Sequence, residues 1–229
     1  MKIVAVGDVH GCVLNLGNIL LDPEVTGDEL IFLGDLFDRS PFLDGDKTVL
    51  EIVQEAQKSP EEFGFKKVTV LRGNHEDLLI RAIERGPESE ARELWEYNGG
   101  EPTFIPVASE NLEWLKSLPL YAERGDYLFV HAGVRPDVPL EEQTESDLMW
   151  IREEFHDAED HGLPYIVVHG HTPVSEIEVA HKRINLDTGC FYTGNLSYME
   201  FNNGTERMGS EDEQAGSSDG GDSECSHSE

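Results

Sequence analysis

A chain of 229 residues is long enough to bury a substantial core. Its 47 acidic residues against 17 basic ones give a formal charge of -30. Such a surface repels phosphate backbones and anionic lipid, which excludes nucleic-acid and membrane-surface binding, and an anionic ligand would need a local cation.

The apolar run Ile3 to Val6 ends at Gly7 and Asp8, too short for a signal-peptide core but suited to a buried strand. Similar runs recur at Leu30 to Leu33, Val68 to Leu71, Tyr127 to Val130 and Tyr165 to Val168, and each reads as a strand. Helical spacing appears at Thr48 to Gln57, Glu76 to Arg85 and Asn111 to Leu118. The alternation implies an α/β layered domain. Arg183 to Asp187 and Asn195 to Phe201 read as two more strands around the turn at Thr193 and Gly194. From Gly209 the composition is Ser, Gly, Asp and Glu with no aromatic residue, so residues 1–208 are expected to fold and 209–229 to form an acidic disordered tail. Cys225 and His227 in that tail supply too few ligands for a metal.

The tail holds seven of the acidic residues and none of the basic ones, so the body keeps 40 against 17. That excess fits a halophilic protein whose self-repulsion is screened in strong salt, or simply a very soluble acidic one. Cys12, Cys190 and Cys225 show no C-x-x-C spacing and an odd count, which fits a reducing cytoplasm. Nowhere do 18 apolar residues run together, so no membrane span is expected.

Metal-ligand residue types cluster where the expected strands end. The strings are G-D-V-H-G at 7–11, G-D-L-F-D-R at 34–39, G-N-H-E at 73–76, V-H-A-G at 130–133 and H-G-H-T at 169–172. In α/β sheets such loops converge on one crevice. A single Asp-x-His is as readily a helix cap, but five strings in order point to one site. Carboxylate, imidazole and amide oxygen without thiolate suit Mn, Fe, Zn or Ni. A carboxylate such as Asp35 can bridge two ions, the usual clamp for displacement at phosphorus.

With L-R-G-N-H-E (71–76), N-G-G (98–100), W-I-R-E (150–153), G-H-T-P (170–173), D-T-G (187–189) and G-N-L (194–196), the chain from Lys2 to about Phe201 resembles the calcineurin-like metallophosphoesterases. Within them it is most similar to the phosphoprotein phosphatase family in its small bacterial and phage lambda phosphatase-like form. The resemblance implies a sandwich of two mixed β-sheets flanked by helices in four layers. It implies two divalent ions, Mn foremost, one held by Asp8, His10 and Asp35 and the other by Asp35, Asn74, His131 and His171. It further implies His75 as general acid oriented by Asp38, phosphate binding by Arg39 and Arg152, and one-step attack by a hydroxide shared between the ions.

The expected activity is hydrolysis of phosphomonoesters, above all phosphoserine and phosphothreonine in proteins, with phosphotyrosine as a further substrate. Loops 40–65 and 86–110 would set a broad selectivity. The alternative is a symmetrical diadenosine tetraphosphate hydrolase, a family that shares the ligands and G-D-V-H-G-C but lacks the Asp of the D-R step and usually has G-N-H-D. Asp38 and Glu76 favour the phosphatase. A non-catalytic metal scaffold would have lost one of these groups, and all are present.

Two departures stand out. Ser40 replaces a usual Gly, so the loop carrying Arg39 is expected to sit differently, and Pro173 stands where broader relatives have another ligand histidine. Arg72 and Glu76 are expected to orient the ligands or to pair with each other. His169 is expected to be a polar neighbour of the site, and His156, His161 and His181 surface residues.

Overall fold

The computed structural model describes residues 1–202 and the backbone of residues 205–212. The N-terminal half alternates strands and helices: β1 (Ile3–Val6), α1 (Val13–Leu21), β2 (Glu29–Phe32), α2 (Gly45–Lys58), β3 (Lys67–Val70) and α3 (Asn74–Arg85). Three more helices follow, α4 (Glu90–Tyr97), α5 (Ile105–Glu110) and α6 (Leu112–Ser117), before β4 (Tyr121–Arg124) and β5 (Tyr127–Val130). Short helices α7 (Glu145–Trp150) and α8 (Glu153–His156) lead to β6 (Ile166–His169), β7 (Glu178–Ala180) and β8 (Arg183–Asn185). The described residues end with α9 (Cys190–Thr193), β9 (Asn195–Asn202) and β10 (Thr205–Asp212).

The strands form two five-stranded mixed sheets, ordered β10-β9-β1-β2-β3 and β4-β5-β6-β8-β7. β1, β2 and β3 run parallel, with β9 antiparallel to β1. In the second sheet β5, β6 and β8 run parallel between antiparallel β4 and β7.

The two-residue period of a strand explains the layers. Val4 and Val6 point into a core shared with the helices of the N-terminal half, including Leu16, Val53, Leu79 and Trp95. Ile3 and Ala5 point the other way and meet Phe129, Val168, Ile184 and Phe201 between the sheets. Leu128, Val130 and Val167 pack outward on Leu148 and Phe155 of α7 and α8. Helix, sheet, sheet, helix is therefore the layer order, the sandwich that the resemblance implied.

A buried ion pair also joins the sheets. Glu29 on β2 accepts from Arg124 Nε and Nη2 on β4 at 2.6 and 2.7 Å and from Thr69 Oγ1 on β3 at 2.6 Å.

Three expectations change. The segments 183–187 and 195–201 are not neighbours around one turn, because β8 belongs to the second sheet and β9 to the first, with α9 carrying the chain across. β10 runs to Asp212, four residues past the boundary drawn at 208, paired with β9 throughout. The rest of the expected tail, 213–229, lies outside the described residues, as does Cys225. His161 is buried, its Nδ1 accepting from Leu163 N–H at 3.2 Å, and His156 is half-buried, so of the three only His181 is a surface residue. Among the described residues no helix is long and apolar enough to cross a membrane.

Candidate metal centre

The carboxyl ends of five strands deliver the site. Asp8 and His10 follow β1, Asp35, Asp38 and Arg39 follow β2, and Asn74 and His75 open α3 after β3. His131 follows β5 and His171 follows β6, so the second sheet contributes from across the sandwich. The turns are tight: among the described residues, five of the eight non-glycine residues with positive φ are His10, Asp35, Asp38, Arg39 and His171. Such backbone costs energy and persists where the surroundings enforce it, as at functional sites.

Two compact groups of ligand atoms result, His10 with Asp35 and His75, and Asp35 with His131 and His171, each within 4.8 Å. Asp35 belongs to both. Asp8 is buried beside them but in neither group, its carboxylate accepting the His171 N–H at 3.0 Å. Gly170 permits that approach, since a Cβ there would lie 2.0 Å from Asp8 Oδ1.

Second partners fix the imidazoles. His10 Nδ1 donates to Phe37 O at 2.8 Å and His131 Nδ1 to Leu33 O at 2.9 Å, so in each neutral ring Nε2 keeps a bare lone pair facing the site. Burial holds both rings neutral, lowering His10 to about 3 and shifting His131 downward. Asn74 Oδ1 lies 2.8 Å from His131 Nε2 and 2.7 Å from His171 Nδ1, and among the described residues His171 Nε2 has no hydrogen-bond partner. Two lone pairs facing each other at 2.8 Å repel unless a cation lies near both.

The carboxylates make the same demand. Burial, then Asp187 and Asp35, raise Asp8 well above the usual carboxylate range. Burial and then Asp35 push Glu76 up to about 7, and burial with Asp35 brings Asp187 to about 6. Asp35 goes the other way: burial opposes its charge, but the imidazoles around it, His131, His75, His10 and His171, outweigh burial once those rings take up protons in acid. Crowded buried carboxylates beside neutral imidazoles fit divalent cations held by oxygen and nitrogen.

His75 differs from the other rings. Its Nδ1 meets Asp38 Oδ2 at 2.7 Å, and although burial disfavours its charge, Asp35 and Asp38 prevail and raise its pKa. Asp38 is held in turn by Trp95 Nε1, which donates to it at 2.9 and 3.0 Å. Arg39 donates from Nε to Asn98 O at 3.1 Å, and its guanidinium lies 5.1 Å from the centre of the Phe191 ring and 3.5 Å from His10 Nε2. On the other flank Arg152 donates to Thr172 Oγ1 at 3.1 Å, next to His171.

Glu76 does not pair with Arg72. Its carboxylate accepts the N–H groups of Asp35 at 2.9 Å, Leu36 at 2.8 Å and Gly73 at 2.8 Å, bracing the loop after β2 against the start of α3. Arg72 donates to Lys116 O instead. His169 is fully buried beside His156, outside both ligand groups. At Ser40 the strain falls one and two residues earlier, with φ of 59° at Arg39 and 69° at Asp38. The Ser40 hydroxyl donates to Gly11 O at 3.1 Å and accepts from Phe42 N at 3.2 Å, tying the loop to the first motif.

Sequence reasoning passed over Trp95 and Phe191 and quoted Asp187 only within a string. The signal available for Trp95 was the N-G-G string at 98–100, since a Cβ at Gly100 would lie 2.1 Å from the indole.

The family model for calcineurin-like phosphoesterases matches residues 1–203. The chain belongs to that family. Among curated relatives, the bis(5'-nucleosyl)-tetraphosphatase PrpE [asymmetrical] of Anoxybacillus flavithermus is 27% identical, over 86% of this chain and 89% of its own. The symmetrical bis(5'-nucleosyl)-tetraphosphatase of Methylococcus capsulatus is 34% identical over 59% of this chain and 44% of its own. A protein serine/threonine phosphatase of Saccharomyces cerevisiae shares the fold, with a TM-score of 0.65 at 15% identity over 93% of this chain and 80% of its own. A calcineurin-like phosphoesterase is a hydrolase, and the near full-length relative carries a dinucleoside tetraphosphatase name rather than that of the protein phosphatase expected from Asp38 and Glu76.

Proposed function

We propose that the protein is a metal-dependent hydrolase of dinucleoside tetraphosphates, working in a reducing cytoplasm. The observation that carries this reading is a pair of buried ligand groups joined at Asp35, in a chain matched over most of its length to relatives named for that activity. The reading replaces the phosphoprotein as first substrate and keeps the site.

Asp8, His10 and Asp35 would hold one divalent cation, and Asp35, Asn74, His131 and His171 the other, with Mn the first choice and Fe, Zn or Ni suited to the same donors. The cations, when bound, supply Lewis-acid polarisation of phosphoryl oxygens and lower the pKa of water. Arg39 beside His10 and Arg152 beside His171 would each take phosphate oxygens through a planar fork, so a polyphosphate chain is gripped at both ends of the site. Asp38 fixes the His75 tautomer and favours its charged form, leaving a proton on Nε2 for the leaving oxygen.

That last pair supports a second reading, a phosphomonoesterase acting on phosphoserine or phosphothreonine. A serine alkoxide needs the His75 proton far more than a nucleotide phosphate does, because the phosphate is already a good leaving group. Turnover of diadenosine tetraphosphate and of phosphoserine, phosphothreonine and phosphotyrosine peptides, in molar salt with Mn or a chelator, tests the assignment. The dinucleotide should be cleaved with the higher kcat/KM and only with metal; cleavage of peptides alone would sink it in favour of the second reading.

A further inference from the structure

Two cavities flank the ligand groups, and they differ in charge. On the His171 side a cavity of about 300 Å³ is bordered by Arg135, Asp147, Trp150, Arg152, Glu153 and Glu154. On the His10 side a cavity of about 360 Å³ is lined by Cys12, Asn15, Pro41, Phe42 and residues 190–194, none of them charged. In a chain that is 28% charged, a neutral cavity at the edge of a metal site selects a neutral part of the ligand.

The neutral cavity is aromatic and placed. The Phe191 ring packs edge to face on His10 at 5.2 Å between centroids, with the Arg39 guanidinium 5.1 Å from its centre. Tyr192 meets Phe191 at 4.8 Å and 80°, so the two rings make a corner, and 61% of Tyr192 is exposed. Gly189 fixes the Tyr192 ring, since a Cβ there would come within 2.3 Å of Cζ. A flat uncharged group next to a phosphate-binding arginine matches one chemistry, a nucleobase attached to its own phosphate chain.

We propose that this cavity, cornered by Phe191 and Tyr192, binds the base of one nucleoside of the substrate, while the charged cavity on the other flank, whose one aromatic ring is Trp150, edge-on to His171 at 6.1 Å, does not hold the second. The proposal rests on the dinucleoside tetraphosphate reading above and narrows it: the enzyme recognises a nucleoside 5'-polyphosphate end, whatever caps the far phosphate. The base stacks on the Tyr192 face, its phosphates pass Arg39, and the chain crosses toward Arg152.

The test uses the full chain loaded with Mn, measuring the KM for diadenosine tetraphosphate and the inhibition constants of adenosine 5'-tetraphosphate and inorganic tetraphosphate against it. Adenosine tetraphosphate should bind within about threefold of the dinucleotide, and inorganic tetraphosphate at least about tenfold more weakly, as expected for one lost stacking contact. Tyr192→Ala should erase most of the preference for adenosine tetraphosphate over inorganic tetraphosphate, and Tyr192→Phe, which keeps the face, should restore it. A preference unchanged in Tyr192→Ala overturns the pocket, as does one erased by Trp150→Ala on the opposite flank. Failure of the unaltered enzyme to cleave diadenosine tetraphosphate would overturn the substrate reading itself and the pocket with it.

Discussion

Glu76 never faces the solvent or the ligand groups directly, yet its two oxygens tie three backbone N–H groups from two loops. Removing it frees the Asp35 backbone and leaves those donors buried and unpaired. Glu76→Ala should weaken Mn binding about 10–100-fold, read by titration calorimetry, while far-ultraviolet circular dichroism stays native. His75→Asn keeps the bulk but loses the proton on Nε2. It should cut turnover of phosphoserine peptide about 100-fold or more and of p-nitrophenyl phosphate little, because nitrophenolate leaves unaided. Equal losses would remove the acid role. At this scale the sequence was readable where chemistry is contiguous, as in Asp8 and His10 or Asn74 and His75. It was silent where a partner sits far along the chain: the Trp95 bond to Asp38 spans 57 residues and leaves no spacing signature.

Five strands, 3–6, 29–32, 67–70, 127–130 and 166–169, were legible to within a residue from short apolar stretches bounded by Gly or polar residues, whereas β4, β7 and β10 were not read and β8 stops two residues before the expected 187. Helix α4 was not read either, because half of its sequence Glu90–Tyr97 is charged and it buries Trp95 alone. Sheet membership of β8 and β9 also escaped, being decided by long-range pairing with His169 and the β1 residues rather than by anything local. Between elements, the Glu29 and Arg124 pair makes stability pH-dependent. Burial favours the neutral acid, but Arg124, Thr69 and Lys67 outweigh it and lower Glu29 to about 2 from its usual 4.5. A depressed carboxyl stabilises the fold above its unfolded pKa and loses that contribution as pH falls from about 4.5 toward 2. Glu29→Gln should therefore cost about 2 kcal/mol in urea melts at pH 7 and close most of the gap by pH 3.

The whole molecule carries its charge of -30 with its ion-binding groups buried at the meeting of two sheets. Self-repulsion at that charge is relieved when the screening length falls to about 3 Å in molar salt. Circular dichroism should show the fold loosening at low ionic strength and recovering in molar KCl; a spectrum indifferent to salt would leave an acidic protein with no saline adaptation. The charge balance was plain in the sequence, but its distribution around Asp35 was not, since composition says nothing of which carboxylates end up enclosed.

Asp35 comes from one sheet, and the imidazoles of His131 and His171 that share its second ligand group come from the other. Competence is thus a property of the docked pair and of neither half. A backbone nick between α6 and β4 would leave β1, β2 and β3 on one polypeptide and the second sheet, together with β9 and β10, on the other, each inert, and regained turnover on mixing them would be a direct chemical clock for the joining of the sandwich.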